Sequence, residues 1–134
     1  MTDVESWYKL DGATDDEINL LRNSISFKLP DLLLTFLKFS NGGEGELSVQ
    51  PYNFVLDSIN EIIETNSSGE IKDNYPNFMI IGGDGGGEYI ALDVVTNEIV
   101  SLDMCNSDIA ESRVVVASTI EQFFSLCGFD NSDT

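Results

Sequence analysis

Residues 78–93, Phe-Met-Ile-Ile-Gly-Gly-Asp-Gly-Gly-Gly-Glu-Tyr-Ile-Ala-Leu-Asp, constrain the fold of this chain more than any other stretch. Phe78 to Ile81 is a continuous apolar run, and Tyr89 to Asp93 mixes β-formers with Ala and Leu, so both flanks read as buried strands. Between them Gly82, Gly83, Gly85, Gly86 and Gly87 tolerate positive φ and close backbone approach. The pattern predicts a β-hairpin in the middle of a sheet.

A glycine-rich connection can also cradle phosphate, but the spacing here excludes it. The dinucleotide fingerprint is G-x-G-x-x-G opening a helix, whereas counting from Gly83 and Gly85 the third position is Glu88 and a strand follows. A P-loop needs Lys followed by Ser or Thr, and no lysine follows Lys72. Asp84 and Glu88 would repel a phosphate.

Charge is the dominant compositional signal. The 134 residues carry 24 acidic and 6 basic side chains, a net charge of −18. Lys9, Arg22, Lys28 and Lys38 lie before Phe39, where the balance is −3; from Phe39 onward only Lys72 and Arg113 oppose 17 acids, a balance of −15. Nucleic acid and anionic lipid are therefore poor partners, and a basic protein is a good one. Solubility alone is the plainer explanation of such a surface.

No histidine occurs, which removes Ser-His-Asp and Cys-His nucleophile pairs, histidine bases and His-ligated zinc together. Cys105 and Cys127 are too few for a disulfide framework and are expected to be small buried hydrophobes. No apolar run approaches a membrane span, and Met1 to Glu5 lacks the character of a signal peptide, so a cytoplasmic location is expected. Length and evenly spread apolar residues suit a single domain, 1–134.

Taken in order, Trp7 in a polar lead is expected to pack a terminal element onto the core. Thr14 with Glu17 forms a capping box, and Ile18, Leu21 and Ile25 give the following helix an apolar stripe. Pro30 suits the first turn of a second helix with Leu32, Leu33, Phe36, Leu37 and Phe39 inward, closed by Ser40-Asn41-Gly42-Gly43. Leu47 to Gln50 alternates like a strand, and Tyr52 to Leu56 resumes extended structure. Ser58 and Glu61 cap a third helix, Asn66 to Glu70 reads as a polar surface loop, and Ile99 to Asp103 as a strand. Asp103 to Arg113 is loop-like, Val114 to Ala117 reads as a last strand or an extended lead, and Ser118 with Glu121 forms a third capping box for a closing helix with Phe123 and Phe124 inward.

This order of pieces resembles the SUKH superfamily, whose members include bacterial toxin-immunity proteins and a fungal regulator of cell-wall synthesis. The resemblance covers about residues 15–126. It rests on Leu29-Pro30, Phe36-Leu37, Asn41-Gly42-Gly43, Phe78 to Gly82, Asp84 to Glu88, Ile90 to Asp93, Ala117-Ser118 and Phe123-Phe124. It implies an α+β domain with helices packed around a mixed, mainly antiparallel sheet, to which the residues as read contribute about four helices, a polar N-terminal lead and a C-terminal tail. Leu29, Pro30, Asn41, Gly42, Gly43, Gly82, Gly85, Gly86, Gly87 and Asp93 are its structural positions. It further implies protein binding, commonly neutralisation of a cognate toxin, often a nuclease.

Asp84, Glu88 and Asp93 also resemble paired carboxylates or calcium ligands. A catalytic reading lacks a nucleophile, and an EF-hand counted from Asp84 would need a ligand at Gly86 and a Glu at Val95. No catalytic, metal or cofactor role is expected. The reading is an immunity-type protein whose acidic surface, drawn from Glu44, Glu46, Glu61, Glu64, Asp84 and Glu88, meets a basic toxin. The alternative is a regulatory or scaffold module of the same fold.

Overall fold

Strands β4 (Phe78–Gly83) and β5 (Glu88–Asp93) form the expected hairpin. The computed structural model describes residues 6–106 and 108–129. Its sheet holds seven strands in chain order, completed by β1 (Tyr8–Lys9), β2 (Gly43–Glu46), β3 (Asn53–Leu56), β6 (Ile99–Asp103) and β7 (Val114–Ala117). The hairpin is thus central, and every pairing is antiparallel. Gly82 has to be glycine, because a Cβ there would collide with the Val55 carbonyl on β3. Gly85, at φ +83°, makes the turn that a side chain would strain.

Six helices accompany the sheet among the described residues, where about four are expected from the sequence. Helices α1 (Asp15–Ser24), α2 (Asp31–Phe39), α3 (Ile59–Ser67) and α6 (Ile120–Leu126) are the four foreseen. The additional two, α4 (Gly69–Asn74) and α5 (Ile109–Ser112), are short and fully buried at no position, so neither leaves a periodic apolar signal.

The capping boxes Thr14–Glu17 and Ser58–Glu61 form as expected. The third is shifted by one residue. Thr119 is the N-cap of α6, accepting from the Gln122 N–H, while Gln122 Oε1 accepts from the Ser118 N–H and hydroxyl.

Three further expectations are corrected. Leu47 to Gln50 is not a strand but the turn of the β2–β3 hairpin, held by the Leu47 N–H on the Tyr52 carbonyl and the Tyr52 N–H on that of Val49. Asn66 is not in a surface loop; it is buried near the end of α3. Cys105 is exposed in the turn after β6, its N–H bonded to Asp103 Oδ1, whereas Cys127 is buried and its thiol is pushed up to about 12 by that burial.

The two faces of the sheet carry separate cores. One joins Met79, Ile81, Ile90, Leu92 and Ile99 to the apolar sides of α1, α2, α3 and α6. Phe36 stacks on Phe124 with ring centroids 4.4 Å apart, and Trp7 meets Phe36 edge-on at 5.3 Å. Trp7 is therefore a core residue, 5% exposed, and its indole N–H donates to the buried Ser40 hydroxyl. The opposite core is smaller, made of Tyr75, Phe78, Ile80, Ala91, Val100 and Leu102, with Ile71 of α4 and Ile109 of α5 packed on it. The two helices missed in the sequence are those that serve this second face.

Candidate functional site

The second core stops short of the first three strands. Strand residues alternate between faces, and a Cβ at Gly45 would meet the Trp7 ring, so Gly45 faces the first core and Glu44 and Glu46 face away from it. Register carries that assignment across the sheet. Tyr8 lies opposite Glu44, Glu44 opposite Val55, Val55 opposite Gly83 and Gly83 opposite Tyr89, making one continuous row. At the Tyr89 end the row is covered, by the edge of Tyr75 at 5.6 Å. At the other end it is bare: Tyr8 is 72% exposed and Glu44 and Glu46 are both exposed.

The bare sheet face is tied to the glycine bend by Asn53. Its side-chain amide donates to Glu44 Oε2 at 3.1 Å and to the Asp84 carbonyl at 3.0 Å. Within the bend, Asp84 Oδ1 accepts the N–H groups of Gly86 at 2.8 Å and Glu88 at 3.2 Å. The place a phosphate would take at these amides is thus filled by the chain's own carboxylate. The Gly87 carbonyl accepts from the Met104 N–H and fastens the bend to the end of β6.

Glu88 lies opposite Asp103 on β6. Burial first, and then the carboxylates of Asp84 and Asp103, raise the Glu88 carboxyl above its ordinary value. Asp103 belongs to this acidic end of the sheet through register, a pairing that shows only once Ile99 to Asp103 is aligned on β5.

The six candidate acids therefore divide. Glu44 and the Asp84 main-chain carbonyl meet at Asn53, which lies opposite Glu46 in the strand register, while the Asp84 carboxylate turns to the Gly86 and Glu88 N–H groups. Glu61 and Glu64 lie apart, exposed on α3, whose Ile59 and Ile62 pack in the first core. Glu61 is also engaged locally, accepting from the Ser58 N–H at 2.9 Å.

The structural positions hold the frame behind this face. Asn41 donates to Glu17 Oε2 at 3.3 Å and accepts from the Ile59 N–H at 2.8 Å, joining the first turns of α1 and α3. Gly42 lies in the turn after α2 and Gly43 opens β2. Leu29 is buried, and Pro30 is the N-cap residue of α2 instead of its first helical residue. Asp93 is buried at the end of β5, accepting from the Val95 and Thr96 N–H groups and from Arg113 at 3.0 Å.

Among the described residues no three or more His, Cys, Asp or Glu side chains are grouped to hold a metal ion. No helix among them is long and apolar enough to cross a membrane. The family model described as the SMI1 / KNR4 family (SUKH-1) matches residues 12–126. No curated protein matches the chain.

Proposed function

The chain belongs to the SMI1 / KNR4 family (SUKH-1), and from that membership we propose that it is an immunity-type protein that binds and neutralises a cognate toxin inside the cell. The partner is a basic domain, most readily a nuclease, since such enzymes bind anionic substrate through positive clefts. The observation that carries this reading is the bare sheet face, where Glu44 and Glu46 stand beside the exposed Tyr8 and Asn53 ties Glu44 to the main chain of the bend at Asp84.

Three physical features suit it to docking. Strands give the carboxylates fixed positions, and Asn53 orients that of Glu44, so little side-chain entropy is lost on binding. Exposed tyrosine supplies contact area with few rotatable bonds; Tyr52, 61% exposed, adds a second at the β2–β3 turn. The net charge of −18 steers a cationic partner inward and raises its encounter rate.

Co-expression with any toxin domain found in a neighbouring reading frame tests the proposal. Survival of the cells and a stable complex support it. Continued killing, with no complex at roughly micromolar concentration, removes it in favour of a scaffold role.

A further inference from the structure

Of the six basic residues in the chain, three are engaged within the fold. Arg113 pairs with Asp93 and Glu98, and Lys38 lies 3.2 Å from Asp15. Lys9 sits 4.9 Å over the Phe39 ring and donates to the Leu10 carbonyl. The others, Arg22, Lys28 and Lys72, are exposed and make no ion pair or side-chain hydrogen bond among the described residues.

Each lines a recess that also has Phe27 in its wall, and these recesses together are called the Phe27 trough. The connection between α1 and α2 carries Phe27, half-buried against the first core, and a groove opens on either side of it. The larger, about 790 Å³, has Leu29, Leu92 and Ile120 among its lining and Lys28 on its edge. The smaller, about 430 Å³, is lined in part by Ile71, Tyr75 and Phe78 and bordered by Lys72. Arg22 and Lys28 flank a third recess against Phe27. Asp31 and Glu121 share these borders, so the local balance is +1 in a chain of −18.

Cations without an ion pair among the described residues, gathered beside apolar grooves on a molecule otherwise crowded with carboxylates, select a ligand that is both anionic and apolar. We propose that the Phe27 trough is a second protein-binding site, which takes an extended acidic peptide segment of a partner. One large apolar side chain enters the groove beside Phe27, and flanking carboxylates meet Lys28, Lys72 and Arg22. An inorganic anion would leave the apolar lining unused, and the two grooves together suit a segment longer than a small carboxylate. The site is independent of the bare sheet face and of the toxin reading.

The probe is a fluorescein-labelled hexapeptide, Glu-Asp-Leu-Phe-Asp-Glu, titrated into the full chain, with its lysine-substituted counterpart as control. Saturable binding below about 1 mM is expected. Backbone amide shifts should be confined to Phe27, Leu29, Ile71, Val94 and Asn97, and affinity should fall about tenfold or more in the K28E/K72E double variant. Both lysines are exposed, so the variant should retain the parent's circular dichroism. Equal binding of the lysine peptide, displacement by hexanoate at equal concentration, unchanged affinity in K28E/K72E, or shifts at Tyr8, Glu44 and Val55 instead would overturn the assignment. So would self-association that K28E/K72E abolishes, since a second copy would then be the occupant.

Discussion

The Asn66 side chain bonds both backbone groups of Ile80, donating to its carbonyl at 2.8 Å and accepting from its N–H at 2.9 Å. Strand β3 pairs with β4 only at Gly82 and Gly83, so Ile80 has no backbone neighbour on that side. Asn66, reaching in from α3, serves in place of a strand. It also donates to the Ile62 carbonyl of its own helix at 2.8 Å.

Asn66→Leu keeps the volume and removes the pairing, leaving a buried N–H and C=O unsatisfied. The expected cost is about 2–4 kcal/mol, because each orphaned buried group costs about 1–3 kcal/mol. Urea denaturation followed by circular dichroism measures it; a loss under about 0.5 kcal/mol would mean the two Ile80 groups find other partners.

Arg113 closes a second, partly buried polar site, bonding the buried Asp93 and the half-buried Glu98 across the β5–β6 turn. Burial works against the Asp93 charge, but the Val95 and Thr96 N–H groups and Arg113 outweigh it and hold the carboxyl below its ordinary value. A carboxylate depressed in the folded state adds stability that is present above the unfolded pKa of 3.8 and is lost as pH falls through the folded one. Arg113→Met should therefore cost about 1–3 kcal/mol at pH 7. The gap should narrow below about pH 4, and thermal melts from pH 2 to 7 read both values.

Asp57 behaves in the opposite sense. Burial, followed by repulsion from Glu61, pushes its carboxyl up to about 6. A raised carboxyl stabilises the fold fully below its unfolded pKa of 3.8 and loses that contribution as pH rises through the folded one. Asp57→Asn should raise the melting temperature at pH 7 and leave it nearly unchanged at pH 4. Equal melting temperatures at pH 7 would show that the Asp57 charge carries no folding penalty.

Much of the frame was legible because its signals are local. The Thr14–Glu17 and Ser58–Glu61 boxes lie three residues apart in sequence and in space, and the glycines of 82–87 report a turn whatever surrounds them. Elements decided by distant partners were not legible. Gly43 to Glu46 has no β-former, and it becomes a strand because Trp7 packs over Gly45 and β1 and β3 flank it. With that strand unread, Glu44 and Glu46 appeared only as charges after a helix, and their shared face beside Tyr8 went unseen. Asn66 was legible as polar and not as buried, since Ile80, which holds it, lies fourteen residues on.

If the bare face between Tyr8 and the glycine bend meets a cationic partner, long-range attraction between the two should govern how fast they associate. Stopped-flow association with an inactivated basic toxin domain that the chain protects against, from about 0.02 to about 0.5 M salt, measures this. The rate should fall about tenfold or more across that range, and an E44K/E46K variant should associate slowly at low salt with its melting temperature unchanged. A rate indifferent to both salt and charge reversal would contradict it.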